Sequence, residues 1–66
     1  MPIMRVVIAE GASPEAKASM FFELTEAAHR ALGTPRENVR IILNEIPASH
    51  YAQGGVAAGG STHSNK

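Results

Sequence analysis

The chain opens with a short apolar run, passes into a long stretch of helical periodicity, and returns to a second apolar run. Ile3 to Ala9, IMRVVIA, is apolar except for Arg5, and Val6, Val7 and Ile8 are β-branched, a composition that favours a strand. A run apolar on both faces predicts a sheet covered on both sides, which leaves Arg5 to find water, a partner chain or an anion. Glu10-Gly11-Ala12 breaks the pattern. Ser13-Pro14-Glu15 then starts a helix: serine caps it, proline suits the first position, and the glutamate complements the positive end. The helix is predicted from Pro14 to Leu32. Met20, Leu24, Ala27 and Ala31 form one line, Phe21, Ala28 and Leu32 widen it, and Glu15, Ser19, Glu23, Glu26 and Arg30 lie mostly opposite. Glu26 and Arg30 are spaced to pair, and Gly33 ends the helix. Thr34, followed three residues later by Glu37, has the capping-box pattern and predicts a single further turn. Val39 to Glu45, VRIILNE, is the second strand, with Val39, Ile41 and Leu43 on one face and Arg40, Ile42 and Asn44 on the other.

The order β-α-β predicts an α/β fold. A helix of this length spans about 28 Å, enough to return along a strand of about 23 Å. The two strands are therefore expected to run parallel, joined by a right-handed crossover. One face of the second strand should meet the helix. The other, bearing Arg40, should meet another subunit or line a site. After Pro47, ASHYAQGGV predicts a turn or short C-terminal hairpin pivoting on Gly54-Gly55. The expected organisation is a single domain over residues 1–56 and a flexible Gly/Ser-rich tail over 57–66.

Length sharpens this picture. The chain has 66 residues, and below about 70–80 residues one core rarely supplies more than about 3–5 kcal/mol. It contains no cysteine, which removes disulfides and thiolate metal sites. His29, His50 and His63 show no ligand spacing, so no metal is expected. Self-association remains, and a hydrophobic content of 44% supports it. Six basic and six acidic residues balance, which gives no reason to expect nucleic acid as a partner. No apolar run approaches the ~20 residues of a membrane span. The first residues lack signal-peptide zones, so a cytoplasmic protein is the expectation.

Several candidates for chemistry have simpler explanations. GGVAAGGS resembles a phosphate loop, but Gly60 occupies the lysine position and no strand leads into it. His29 reads as a helix-surface residue and His63 as a solvated one. His50 lies in a loop of functional character. Arg40 stands apart, because an arginine on the inner part of a strand is costly unless an anion or carboxylate pairs with it. A salt bridge across a subunit boundary and a substrate anion both answer that need. Pro2 is the other such residue. Proline cannot donate to a ladder and fits the start of a strand. Removal of Met1 would also leave a secondary amine there.

Pro2 opening a strand, then VIAEG-x-S-x-E-x-K, a helix, VRIILNE and SHYAQGG, in that order, resemble the small-subunit tautomerases of the 4-oxalocrotonate tautomerase type. The resemblance covers roughly Pro2 to Val56. It implies a β-α-β subunit assembled as a hexamer, a trimer of dimers. Met1 would be removed and Pro2 would be the general base. Arg40 would fall where the family binds the substrate's carboxylate and carbonyl end. Tyr51, in His50-Tyr51-Ala52, would take the place of an active-site phenylalanine. The family's first-loop arginine, which holds the far carboxylate of muconate-type substrates, has Ala12 in its place. Arg5, Arg36 or a partner chain's arginine are the cations left to compensate.

The resemblance implies a tautomerase that moves a proton within unsaturated or aromatic 2-oxo and 2-hydroxy acids without a cofactor. A free α-amine has a reference pKa of about 7.7–8.0, and an apolar pocket beside Arg40 would favour its neutral form. Arg40 would stabilise the enolate as it develops. Two alternatives stay open. One is dehalogenation or decarboxylation of short 3-carbon acids on the same site. The other is a non-catalytic subunit of a hetero-hexamer.

Overall fold

The computed structural model describes residues 1–58. Strand β1 (Ile3–Ala9), helix α1 (Pro14–Leu32) and strand β2 (Arg40–Ile46) form the β-α-β unit, and β3 (Ala52–Gln53) and β4 (Val56–Ala57) form a small hairpin after it. β1 and β2 pair in parallel, in register from Ile3↔Arg40 to Ala9↔Ile46. β2 begins one residue later than the apolar run because Val39 closes the preceding turn, its N–H donating to the Arg36 carbonyl at 3.0 Å. His63 and the Gly59–Ser61 part of the glycine-rich stretch lie outside the described residues, as does most of the expected tail.

The helix ends follow their local signals. Ser13 is extended, and its hydroxyl accepts the Ala16 N–H at 3.0 Å, a cap worth about 1 kcal/mol. Gly33 takes the left-handed conformation, with φ of 69°, and donates to the His29 carbonyl at 3.0 Å. His29 Nδ1 lies 2.7 Å from the Thr34 carbonyl oxygen, so this nitrogen donates and the ring ties down the helix end. Gly54 and Gly55 have φ of 62° and 84°, the two positive values that a tight two-residue hairpin between β3 and β4 requires.

Three local expectations change in the folded chain. The capping box at Thr34 does not form. The turn that follows is a 3-10 turn of three residues, Arg36–Asn38, preceded by extended Pro35 and without a side-chain cap. The N–H groups of Asn38 and Val39 are already bonded to the carbonyls of Pro35 and Arg36. Glu26 pairs with Arg36 instead of Arg30, through bonds of 2.5 and 3.1 Å, a two-pronged approach that the helix neighbour cannot match. The inward stripe of α1 is also rotated. Lys17, Met20, Phe21, Leu24, Thr25 and Ala28 are half-buried, whereas Ala27, Ala31 and Leu32 are exposed.

The Arg36 hydrogen bond holds the Glu26 carboxyl below its ordinary value of 4.5. A carboxyl depressed in the folded state stabilises above its unfolded pKa, and the effect is lost as pH falls through the folded one. Arg36→Ala is therefore expected to lower the thermal midpoint slightly at neutral pH. The difference from the parent chain should fade as pH drops below 4.5, which thermal melts across an acid series would show. A gap that persists unchanged in acid would mean that Arg36 acts through packing.

Met4, Val6 and Ile8 of β1 and Ile41 and Leu43 of β2 are half-buried on one sheet face. Glu45 shares that face opposite Ile8, and its carboxylate takes the Lys17 ammonium of α1 at 2.9–3.0 Å. The other face exposes Ile3 at 63%, Val7 at 59% and Ile42 at 44%, with Arg5 and Arg40 among them. No hydrophobic side chain among the described residues is fully buried. The radius of gyration is 15.9 Å, against about 11 Å for a compact chain of this length. One chain therefore leaves its second sheet face without cover. No helix among the described residues is long and apolar enough to cross a membrane.

Candidate active site

Pro2 is half-buried immediately ahead of β1. It has no N–H to give, and its carbonyl accepts the Arg40 N–H at 3.1 Å. This bond opens the parallel ladder, and the next rung sets Ile3 against Arg40. Backbone pairing thus holds the first proline and the second-strand arginine at one end of the sheet, whatever their side chains do. Arg40 Nε lies 3.1 Å from the sulfur of Met1, a weak acceptor. No carboxylate pairs with Arg40 among the described residues.

Met1 affects both groups. Its peptide bond makes the Pro2 nitrogen an amide without a basic lone pair, and its side chain lies against the guanidinium. Removing it frees a secondary amine and uncovers Arg40 Nε in the same step.

Tyr51 lies elsewhere. A short 3-10 turn, Ala48–His50, follows β2, and the Tyr51 N–H donates to Ala48 at its end. Its carbonyl accepts the Ala58 N–H at 2.7 Å. These bonds hold Tyr51, 48% exposed, over an open apolar cleft of about 350 Å³ lined also by Val7, Ile8, Ala9 and Ile46. Pro2 and Ala9 are separated by the length of β1, about 23 Å. The cleft and the Pro2–Arg40 pair therefore occupy opposite ends of one sheet. The structure brings Pro2 and Arg40 together and does not bring Tyr51 to them within a chain. The cleft residues Val7, Ala9 and Ile46 were not among the sequence candidates. Their signal was the odd-numbered parity of β1, which puts Val7 and Ala9 on the face of Arg5.

A family model described as tautomerase enzyme matches residues 2–59. The chain belongs to the tautomerase family. This tautomerase is 48% identical over 56 residues to a probable tautomerase of Ralstonia nicotianae, covering 85% of this chain and 80% of that one. It is 43% identical over 58 residues to a 2-hydroxymuconate tautomerase of Pseudomonas putida, covering 88% and 92%. Among solved structures it is similar to a heterohexamer 4-oxalocrotonate tautomerase of Chloroflexus aurantiacus, with a TM-score of 0.86, 36% identity, and 89% and 95% of the two chains covered. A 4-oxalocrotonate tautomerase homologue of the tomaymycin biosynthetic pathway also gives a TM-score of 0.86, at 43% identity, with 88% and 89% covered. The tautomerase is an isomerase, and the resemblance carried by Pro2, the helix start and the two strands holds.

Proposed function

We propose that this tautomerase, with Met1 removed, is a cytoplasmic, cofactor-independent enzyme that ketonises dienols of unsaturated 2-hydroxy acids. Pro2 is its general base, and Arg40 and Tyr51 are its substrate-binding residues. The observation that carries the reading is the backbone Arg40 N–H bond to the Pro2 carbonyl, which holds these two residues side by side at one end of the sheet. The Pro2 nitrogen takes the proton of the 2-hydroxyl, the C2 oxygen becomes a carbonyl, and the double bonds shift along the chain. The same nitrogen returns the proton to the distal carbon, C5 of a 2-hydroxyhexa-2,4-dienedioate. One O–H bond breaks and one C–H bond forms, with no net change in redox state. Arg40 holds the 1-carboxylate and the 2-oxygen, where negative charge gathers.

The same reading calls for more than one chain. Pro2 and the cleft under Tyr51 lie at opposite ends of β1, a strand about 23 Å long, so a site using both joins Pro2 of one copy to Tyr51 of another. The exposed Ile3, Val7 and Ile42 supply a surface for this assembly; the heterohexamer similarity noted above supports six subunits, and our reading is that all six are copies of this chain.

The test is an ultraviolet assay of 2-hydroxymuconate and of phenylenolpyruvate with purified chain whose intact mass shows Met1 absent. The expected result is ketonisation well above the solvent rate for at least one enol. A solvent rate with both removes the reading. The Chloroflexus similarity favours a second reading, a subunit of a hetero-hexamer. This predicts an inactive pure chain that gains activity when a related subunit is co-purified. Turnover of 3-chloroacrylate in place of enols would instead favour the short-acid alternative.

A further inference from the structure

We infer that Glu26 and Arg36 are positioning residues for Arg40, a clamp that fixes where the guanidinium of Arg40 leaves the chain. The inference rests on the proposed role of Arg40. That side chain has no carboxylate partner among the described residues, and its bond to the Met1 sulfur goes when Met1 is removed. Its placement therefore comes from the backbone that carries it, which enters β2 from the turn Arg36–Asn38.

A series of bonds ties that backbone to α1. Glu26 takes Nε and Nη2 of Arg36 at 2.5 and 3.1 Å, a fork that fixes orientation as well as distance. The Arg36 carbonyl accepts the Val39 N–H at 3.0 Å, and the next N–H, that of Arg40, reaches the Pro2 carbonyl at 3.1 Å. Pro35, ahead of the turn, has φ of −60°, a torsion its ring holds. His29 secures Thr34 before that. Among the described residues the Glu26 fork is the turn's own side-chain tie to the helix. A surface ion pair adds little to stability, yet this one sits where small displacements count. Misplacing a catalytic contact by about 1 Å can cost about 10²-fold in rate.

Two readouts on the Met-processed protein test the assignment. The first is hydrogen exchange of the Arg40 amide, which reports its bond to Pro2. Arg36→Ala and Glu26→Gln should both speed it, while amides further along the β1–β2 ladder hold. A fold loosened as a whole would speed all of them. The second is enol ketonisation. Arg36→Ala should lower kcat about tenfold, part of what a full displacement costs. The rising limb of its kcat/KM profile should move to higher pH, as when a cation withdraws from the Pro2 amine. Arg36→Lys, without the planar fork, should fall in between. In an Arg40→Ala background, Arg36→Ala should cost nothing further, because a positioning residue acts only through the residue it positions. Glu45→Gln cuts the Lys17 pair at the other end of β2 and should leave kcat and the limb unchanged. Circular dichroism would confirm that each variant folds. An Arg40 amide no faster than the parent's, exchange raised equally along the ladder, or equal losses with and without Arg40 would overturn the inference. Enol turnover with kcat unmoved by Arg36→Ala sinks this inference alone. A selectively loosened Arg40 amide, with enols left at the solvent rate by the parent chain, sinks the proposed function alone.

Discussion

Pro2→Ala is expected to lower kcat for enol ketonisation by about 10²–10⁴-fold, the usual contribution of a positioned general base. The loss is not total, because processing of Met1 before alanine still leaves an amine of similar reference pKa, about 7.7–8.0. What disappears is the ring. Proline's nitrogen is held in a pyrrolidine ring that closes over the N–Cα bond, so its orientation is restricted, whereas an alanine amine turns freely about that bond. A primary amine can also condense with a 2-oxo product, which ties up the site. The Pro2 carbonyl that accepts the Arg40 N–H at 3.1 Å is a backbone group and survives the change, so the strand start should hold. Steady-state kinetics with intact-mass control measures the effect. A blocked terminus, made by retaining any residue ahead of Pro2, should cost more than alanine because the amide nitrogen is no base at all. An alanine variant as fast as the parent, or a blocked chain that still turns over, would take Pro2 out of the mechanism.

Arg40→Ala is expected to reduce kcat by about 10²–10³-fold, the scale for removing one oxyanion donor, and to raise KM as well. The two effects have one origin. In the proposed site the guanidinium would face the ground-state carboxylate and also the C2 oxygen, whose charge grows only as the proton leaves. Arg40→Lys should recover part of the binding but little of the rate, since an ammonium supplies a point charge without the planar fork. A second consequence concerns pH. A cation beside the Pro2 amine disfavours its protonated form, so losing Arg40 should move the rising limb of the kcat/KM profile to higher pH. Profiles of both variants against the parent chain would show this. A fall in rate with the limb unmoved would assign Arg40 to binding alone.

The elements themselves were legible because their signals are local. Ser13 before Pro14 and Gly33 after Leu32 bracket the helix at its observed bounds. Alternation along Arg40 to Asn44 placed Ile41 and Leu43 towards the helix and Arg40, Ile42 and Asn44 away from it, as their burial shows. The errors arose where two local signals competed for one partner. Glu26 had Arg30 within reach on its own helix, but Arg36 folds back to it with two bonds. Thr34 had the residue types of a cap, but the turn starts one residue later, after extended Pro35, and takes no side-chain cap.

By itself, the order of residues determined a parallel β-α-β unit, a proline at its mouth, and a surplus of apolar surface that one short chain cannot hide. Which residues meet depends on register, and register belongs to the tertiary structure. Pairing Ile3 with Arg40 joins Pro2 to Arg40, sets Arg5 diagonally beside it, and sends Tyr51 to the far end with Ala9 and Ile46. A shift of one residue would turn every one of these side chains to the opposite face. Nothing in the spacing along the chain encodes that choice. It comes from the long-range match of two strands with a nineteen-residue helix between them.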